Sequence, residues 1–143
     1  MARGIPADVV RKFREIPLFA NVSGRGIRAL IQAADVLDVA AGTVMVREGE
    51  MGEHLFVVTR GTALVTRKGR KLRELVPGDY FGEMAFLAPA PRSATVTAYS
   101  DVRFLLIGPR ELAVVVQRDV VVAQRLLETM AKRLLQNERS GLL

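Results

Sequence analysis

The apolar positions of this chain change period twice. In residues 6 to 15, PADVVRKFRE, Val9, Val10 and Phe13 recur at helical spacing behind a proline and an acidic residue, which predicts a first short helix. Pro17 breaks that period. Ser23 then stands where a helix cap belongs, and Ile27, Leu30, Ile31 and Ala34 share one face of a second helix running through GRGIRALIQAADVL. From Val36 to Ile107 the pattern becomes short β-branched runs: DVLDVA, TVMVRE, HLFVVT, TALVTR, KLRELV, SATVTAYS and VRFLLI. Gly42, Gly49, Gly52, Gly61, Gly69 and Gly78 fall where such a chain reverses tightly with φ > 0. Runs recurring every 8 to 12 residues or so predict an antiparallel sandwich or barrel.

Beyond Ile107 the helical period returns. GPRELAVVVQRD reads as a helix opened by Pro109. DVVVAQRLLETMAKRLLQNER sets Val121, Leu126, Leu127, Met130, Leu134 and Leu135 on one stripe, with Arg118, Arg125, Lys132, Arg133 and Arg139 between them, a helix with a solvated basic face. No linker separates these parts. The expectation is one domain: helices over about 6–36, a barrel over about 37–107, and C-terminal hinge and lid helices over about 108–139.

Half of the 143 residues are apolar, enough for a packed core. The absence of cysteine excludes disulfides, thiolate metal ligands and cysteine nucleophiles, and fits a reducing cytoplasm. MARGIPADVV lacks a signal pattern and no apolar run approaches the roughly 20 residues that span a bilayer, so no transmembrane segment is expected. A net charge of +6 admits a nucleic acid, an anionic membrane or a small anionic ligand. The basic residues are spread along the chain, and the six Phe and two Tyr sit mostly beside apolar neighbours, so no stacking platform for single strands forms.

Between KLRELV and SATVTAYS, in the region of the stretch GDYFGEMAFLAPAPRSATV, lie residues 77 to 92, far more than a hairpin needs, and long insertions usually have work to do. Gly78 and Gly82 permit tight turns and close approach to a ligand, and EMAFLA suits one or two helical turns whose first N–H groups favour an anion. Arg92 adds a planar guanidinium able to grip two oxygens of one phosphate, and the small Ser93 and Ala94 leave main-chain N–H groups accessible beside it. Glu83 repels phosphate, so its partner is a hydroxyl, such as that of a sugar. The bland alternative is a surface pair of Glu83 with Arg92, worth about 0 to 1 kcal/mol.

Other chemistry is poorly represented. His54 is the sole histidine and has no carboxylate at a ligand-like interval, so it reads as exposed or at a strand edge. Ser23, Ser93 and Ser100 lie in no nucleophile elbow. Glu48, Glu50 and Glu53 in a short turn read as a solvated hairpin rather than a calcium loop. The chain is expected to bind, not to catalyse, and to need no metal and no cofactor beyond its ligand.

FGEMAFLAPAPRSATVTA resembles the phosphate-binding cassette of cyclic-nucleotide-binding domains, which runs approximately Phe-Gly-Glu-aliphatic-Ala-Leu, a spacer, then Pro-Arg-(Ser/Thr/Ala)-Ala-Thr. IPLFANVS, VREGEMGEHLFVVTRGTALV and ELVPGDYFGE extend the resemblance over about residues 5 to 135. Phe86 stands where leucine is commoner, and the spacer LAPAP lacks the usual acidic or glycine residues. The resemblance implies a mainly β fold with flanking helices, an eight-stranded antiparallel β-roll of the jelly-roll type, with cyclic AMP or cyclic GMP between roll and cassette. It implies that Gly82, Glu83, Met84, Ala85, Arg92, Ser93 and Ala94 form the ligand site, with Glu83 on the ribose 2′-hydroxyl and Arg92 on the cyclic phosphate. Val65 and Leu75 in the roll, and Leu134 and Leu135 on the last helix, are candidate base contacts.

As in relatives of that kind, ligand would be relayed by closure of the C-terminal helix to an effector outside the chain, a channel among the candidates, or to a homodimer partner. The cytoplasm, or the cytoplasmic face of a channel, is the expected location, with cyclic AMP favoured over cyclic GMP. The residues after LLIGP are taken up by the predicted helices, leaving no room for a helix-turn-helix, so no direct DNA binding is expected. The rival reading keeps the fold without the nucleotide, as an interaction or structural module; intact Glu83 and Arg92 argue against it.

Overall fold

The structure, a computed structural model, describes residues 7–16, 19–82, 85–86 and 89–139. Two compact units are present, Ala33–Leu112 and a helical unit drawn from both ends of the chain, with the division falling inside α3.

The helical unit holds α1 (Ala7–Glu15), α2 (Gly24–Ala33), most of α3 (Pro109–Arg118) and α4 (Val120–Arg139). Ser23 caps α2 as its position predicts, its hydroxyl accepting from Gly26 N–H at 3.1 Å. α2 ends at Ala33, before the predicted Leu37, because Asp35–Val39 is the first strand of the other unit; helical and alternating patterns overlap across Ala34–Leu37. Asp119 caps α4, accepting from Val121 N–H at 3.1 Å. Among the described side chains of α4, Val122, Leu126 and Thr129 are buried, whereas Val121 and Leu127 are exposed. Leu126 is buried as predicted, but Val121 and Leu127 are not on its face: they lie six positions apart, whereas residues on one face recur at three, four or seven. Thr129 tolerates burial by donating to the Arg125 carbonyl at 3.0 Å.

In Ala33–Leu112, ten strand segments are described: β1 (Asp35–Val39), β2 (Val44–Val46), β3 (Met51–Gly52), β4 (Leu55–Arg60), β5 (Ala63–Arg67), β6 (Arg70–Leu75), β7 (Tyr80–Phe81), β8 (Ala90–Pro91), β9 (Thr95–Ala98) and β10 (Val102–Ile107). Eight make two four-stranded antiparallel sheets, β1-β10-β4-β7 and β2-β9-β5-β6, and β3 with β8 forms a separate ribbon. The expected eight-stranded roll is thus present with one added ribbon, whose two-residue strands are too short to leave an alternating pattern.

The core lies between the sheets, where β4 and β10 supply Phe56, Val58, Val102 and Phe104, and β5, β6 and β9 supply Ala63, Val65, Leu75, Val96 and Ala98. Phe56 stacks on Phe81 with centroids 4.5 Å apart, and Phe104 meets Phe56 and Phe81 edge-on at 5.8 and 5.9 Å. Such aromatic pairs add about 0.5–1.5 kcal/mol each beyond area burial. The β5–β6 turn has both central residues left-handed, Lys68 at φ 51° and Gly69 at φ 77°, the twist that a two-residue hairpin demands. Glu48 secures that turn by accepting from Lys68 N–H at 2.9 Å, so one acid of the GEMGE region closes a hairpin. No described helix is long and apolar enough to cross a membrane.

Candidate functional site

The ribbon of β3 and β8 places Arg92. Gly52 pairs with Ala90 and Met51 with Pro91, and just beyond the ribbon Arg92 N–H donates to the Glu50 carbonyl at 2.8 Å while Gly49 N–H donates to the Arg92 carbonyl at 2.8 Å. Its backbone is thereby clamped on both sides.

The guanidinium enters a slot. Its Nη2 donates to the His54 carbonyl at 3.2 Å, and its central carbon lies 5.6 Å from the centroid of the Phe56 ring, a cation–π distance. Glycines line this slot: a Cβ at Gly82 would come within 2.6 Å of Arg92 Nη1, and one at Gly52 within 2.6 Å of Arg92 Nη2. Nη1 is buried and has no hydrogen-bond partner among the described residues. Burial pushes the Arg92 guanidinium below its ordinary range, although a guanidinium stays charged throughout the physiological range. An unsatisfied buried donor costs about 1–3 kcal/mol, more when charged, so the slot holds a cation waiting for an acceptor.

Arg92 is also on the wall of a cavity of about 400 Å³ bounded by Val46, Val65, Val96, Gly82, Ala85, Ser93 and Ala94. The structure thus brings together Gly82, Ala85, Arg92, Ser93, Ala94 and Val65 of the predicted residues. Gly82 has φ +90°, as its predicted tight approach requires, and its carbonyl accepts from Phe86 N–H at 2.9 Å. Glu83 and Met84 lie outside the described residues. Leu75 does not line the cavity: it is fully buried in the core between the sheets, and Leu72, three residues earlier on β6 and half-exposed, lines it instead. Leu134 lies on α4 with its side chain outside the description, and Leu135 on the same helix is exposed.

Several contributors are invisible to sequence reasoning. His54 acts through its main-chain carbonyl, which any residue carries, so its imidazole gave no signal. Gly52 has no positive φ and sits in β3 rather than in a turn, which corrects the expectation drawn from its glycine identity. Arg67 and Arg73 also line the cavity, Arg67 donating to the Ser93 carbonyl at 2.9 Å and Arg73 to the Tyr80 carbonyl at 3.3 Å. With Lys68, Arg70 and Lys71 they put five basic residues into the seven positions 67–73 of the β5–β6 hairpin, which corrects the reading of basic residues spread along the chain.

A family model described as the cyclic nucleotide-binding domain matches residues 36–119. The cyclic nucleotide-gated potassium channel of Rhizobium etli is 30% identical over 129 residues, which cover 88% of this chain and 36% of the channel. A cAMP-dependent protein kinase regulatory subunit of Yarrowia lipolytica is 36% identical over 97 residues, 66% of this chain and 26% of that protein. The solved N-terminal domain of a transcriptional regulator from Streptomyces coelicolor matches with a TM-score of 0.81 and 30% identity, covering 88% of this chain and 94% of that one. This chain belongs to the cyclic nucleotide-binding domain family. Domains of this family are regulatory rather than catalytic. The resemblance carried by the cassette residues and the β-roll with flanking helices are both borne out.

Proposed function

We propose that the chain binds a purine cyclic nucleotide, cyclic AMP foremost, in the cavity beside Arg92, and acts as a sensor or regulatory domain for an effector outside these residues. The observation that carries the reading is Arg92, which lines a cavity of about 400 Å³ and whose buried Nη1 has no hydrogen-bond partner among the described residues. A cyclic phosphate carries one negative charge and two free oxygens, which suit one guanidinium already held by a carbonyl and an aromatic ring. Val46, Val65, Val96 and Leu72 offer an apolar surface for the base, and Glu83 is assigned the ribose 2′-hydroxyl by the family resemblance. A relative named as a cAMP-dependent kinase regulatory subunit fits cyclic AMP, and relatives named as cGMP-dependent kinases fit cyclic GMP equally.

Cyclic GMP is the second reading, and Arg73 favours it. An arginine on the cavity wall can donate two parallel bonds to O6 and N7 of guanine, whereas adenine offers a donor at the position of O6. Titration calorimetry with both nucleotides, on the chain and on Arg73→Ala, tests the choice. The cyclic AMP reading expects tighter binding of cyclic AMP with Arg73→Ala neutral; tighter cyclic GMP binding that Arg73→Ala weakens supports the second reading, and no binding of either overturns both.

For the relay, we propose that the whole chain works as one domain in the cytoplasm or on the cytoplasmic face of a channel, with α4 closing over bound nucleotide and Leu134 or Leu135 capping the base. Ligand moves an equilibrium only by binding one conformation better than the other. Hydrogen exchange across α4 that does not change at saturating nucleotide would remove this proposal. The effector is a channel or another domain beyond these residues, or a second copy of the chain.

A further inference from the structure

Gly52 stands apart from the other glycines of the roll. Gly42, Gly49, Gly61, Gly69, Gly78 and Gly82 all have positive φ, which explains why each is glycine. Gly52 does not, and it forms a regular antiparallel pair with Ala90, a backbone that any residue adopts. The three atoms nearest to an added Cβ there all belong to one side chain: Nε, Cζ and Nη2 of Arg92, all too close to coexist with it. Gly82, by contrast, would set a Cβ against the main-chain carbonyl of His54 as well as against Arg92 Nη1.

We infer that Gly52 is a positioning residue for the nucleotide phosphate: its missing side chain is the space in which the Arg92 guanidinium lies, an inference that rests on the nucleotide-binding reading above. A methyl group at position 52 leaves β3 and its pairing intact and expels the flexible end of Arg92 from the slot. The guanidinium then loses the His54 carbonyl, the Phe56 face and the orientation that holds Nη1 buried. Folding loses little, because the displaced group was a desolvated cation with an unsatisfied donor, and because alanine restricts the unfolded chain more than glycine does. Binding loses much, because the phosphate meets an arginine free to rotate in solvent.

The test is a double-mutant cycle on Gly52→Ala and Arg92→Ala, read by titration calorimetry with cyclic AMP and cyclic GMP and by thermal unfolding. Gly52→Ala is expected to weaken nucleotide binding by at least about thirty-fold, with an unfolding midpoint equal to or above that of the parent. In the Arg92→Ala background the same substitution is expected to cost no further affinity, since the group it displaces is gone. Affinity within a few-fold of the parent, an additive loss in the double variant, or a fall in unfolding midpoint that accompanies the loss of binding overturns the proposal. A ligand-free readout separates this from the function itself: the Arg92 Nη–H groups should exchange more slowly with solvent in the parent than in Gly52→Ala. If the parent binds neither nucleotide, the binding reading falls while this comparison still decides the slot, and equal exchange in the two proteins refutes it.

Discussion

The guanidinium carbon of Arg92 lies 5.6 Å from the centre of the Phe56 ring, so the charge that faces the cavity rests on the aromatic cluster that builds the core. Phe56 in turn stacks on Phe81, the residue that leads into Gly82. Core packing and phosphate recognition therefore share one side chain. Phe56→Leu retains apolar volume and removes the ring face, and a partly desolvated cation–π contact is worth about 0.5–2 kcal/mol. The variant is expected to fold and to bind nucleotide roughly 2- to 30-fold more weakly, measured by titration calorimetry alongside thermal unfolding.

Glu83 lies outside the described residues, and its ribose role comes from the family resemblance, so it is tested through the ligand. Glu83→Ala is expected to weaken binding of the cyclic nucleotide and to leave binding of the 2′-deoxy analogue unchanged, in parallel titrations. Equal losses for both ligands would place the carboxylate's role elsewhere.

Asp38 and Arg103 face each other in the β1–β10 register and form a two-point ion pair, with contacts of 2.7 and 3.0 Å. The hydrogen bonds from Arg103 hold the Asp38 carboxyl below its ordinary value of 3.8. The folded chain therefore takes up this proton less readily than the unfolded chain does. Its contribution to stability is present at pH above the ordinary carboxylate value and disappears as pH falls through the lowered folded value. Both side chains are substantially exposed, so the effect is small and weakened by salt. In urea unfolding, Asp38→Asn is expected to be less stable than the parent at neutral pH and indistinguishable from it well below about pH 3.

Gly61 closes the tight link between β4 and β5 with φ +82°, and a Cβ there would strike the main-chain carbonyl of Asp101. Neither strain nor collision relaxes through a side-chain rotation. Gly61→Ala is expected to cost about 1–3 kcal/mol of folding stability, with nucleotide affinity of the remaining folded protein unchanged. Denaturant titration and calorimetry separate the two quantities.

How far the sequence carried the interpretation differs by element. The seven β-branched runs all become strands, because each holds enough alternating or continuous apolar residues to mark itself. β3, β7 and β8 left no such mark at two residues each, although two of them build the ribbon that orients Arg92. Ser23 and Pro109 announce their helix starts correctly, while the α4 stripe was misjudged because apolar residues occur on several of its faces. At the site, Gly82, Arg92, Ser93 and Ala94 were legible from residue chemistry and spacing within one segment. The His54 carbonyl, the Phe56 ring and the vacancy at Gly52 were not, since they come from another part of the chain and act through backbone, shape or absence of a side chain.

Calorimetric titration of the parent chain and of Arg92→Ala with cyclic AMP and cyclic GMP tests the central claim most directly. Truncating one partner of a buried charge pair costs about 2–5 kcal/mol, so the parent is expected to bind and the variant to lose about thirty-fold or more in affinity for the better ligand. A parent that gives no binding heat with either nucleotide, or a variant within a few-fold of the parent, would contradict the account.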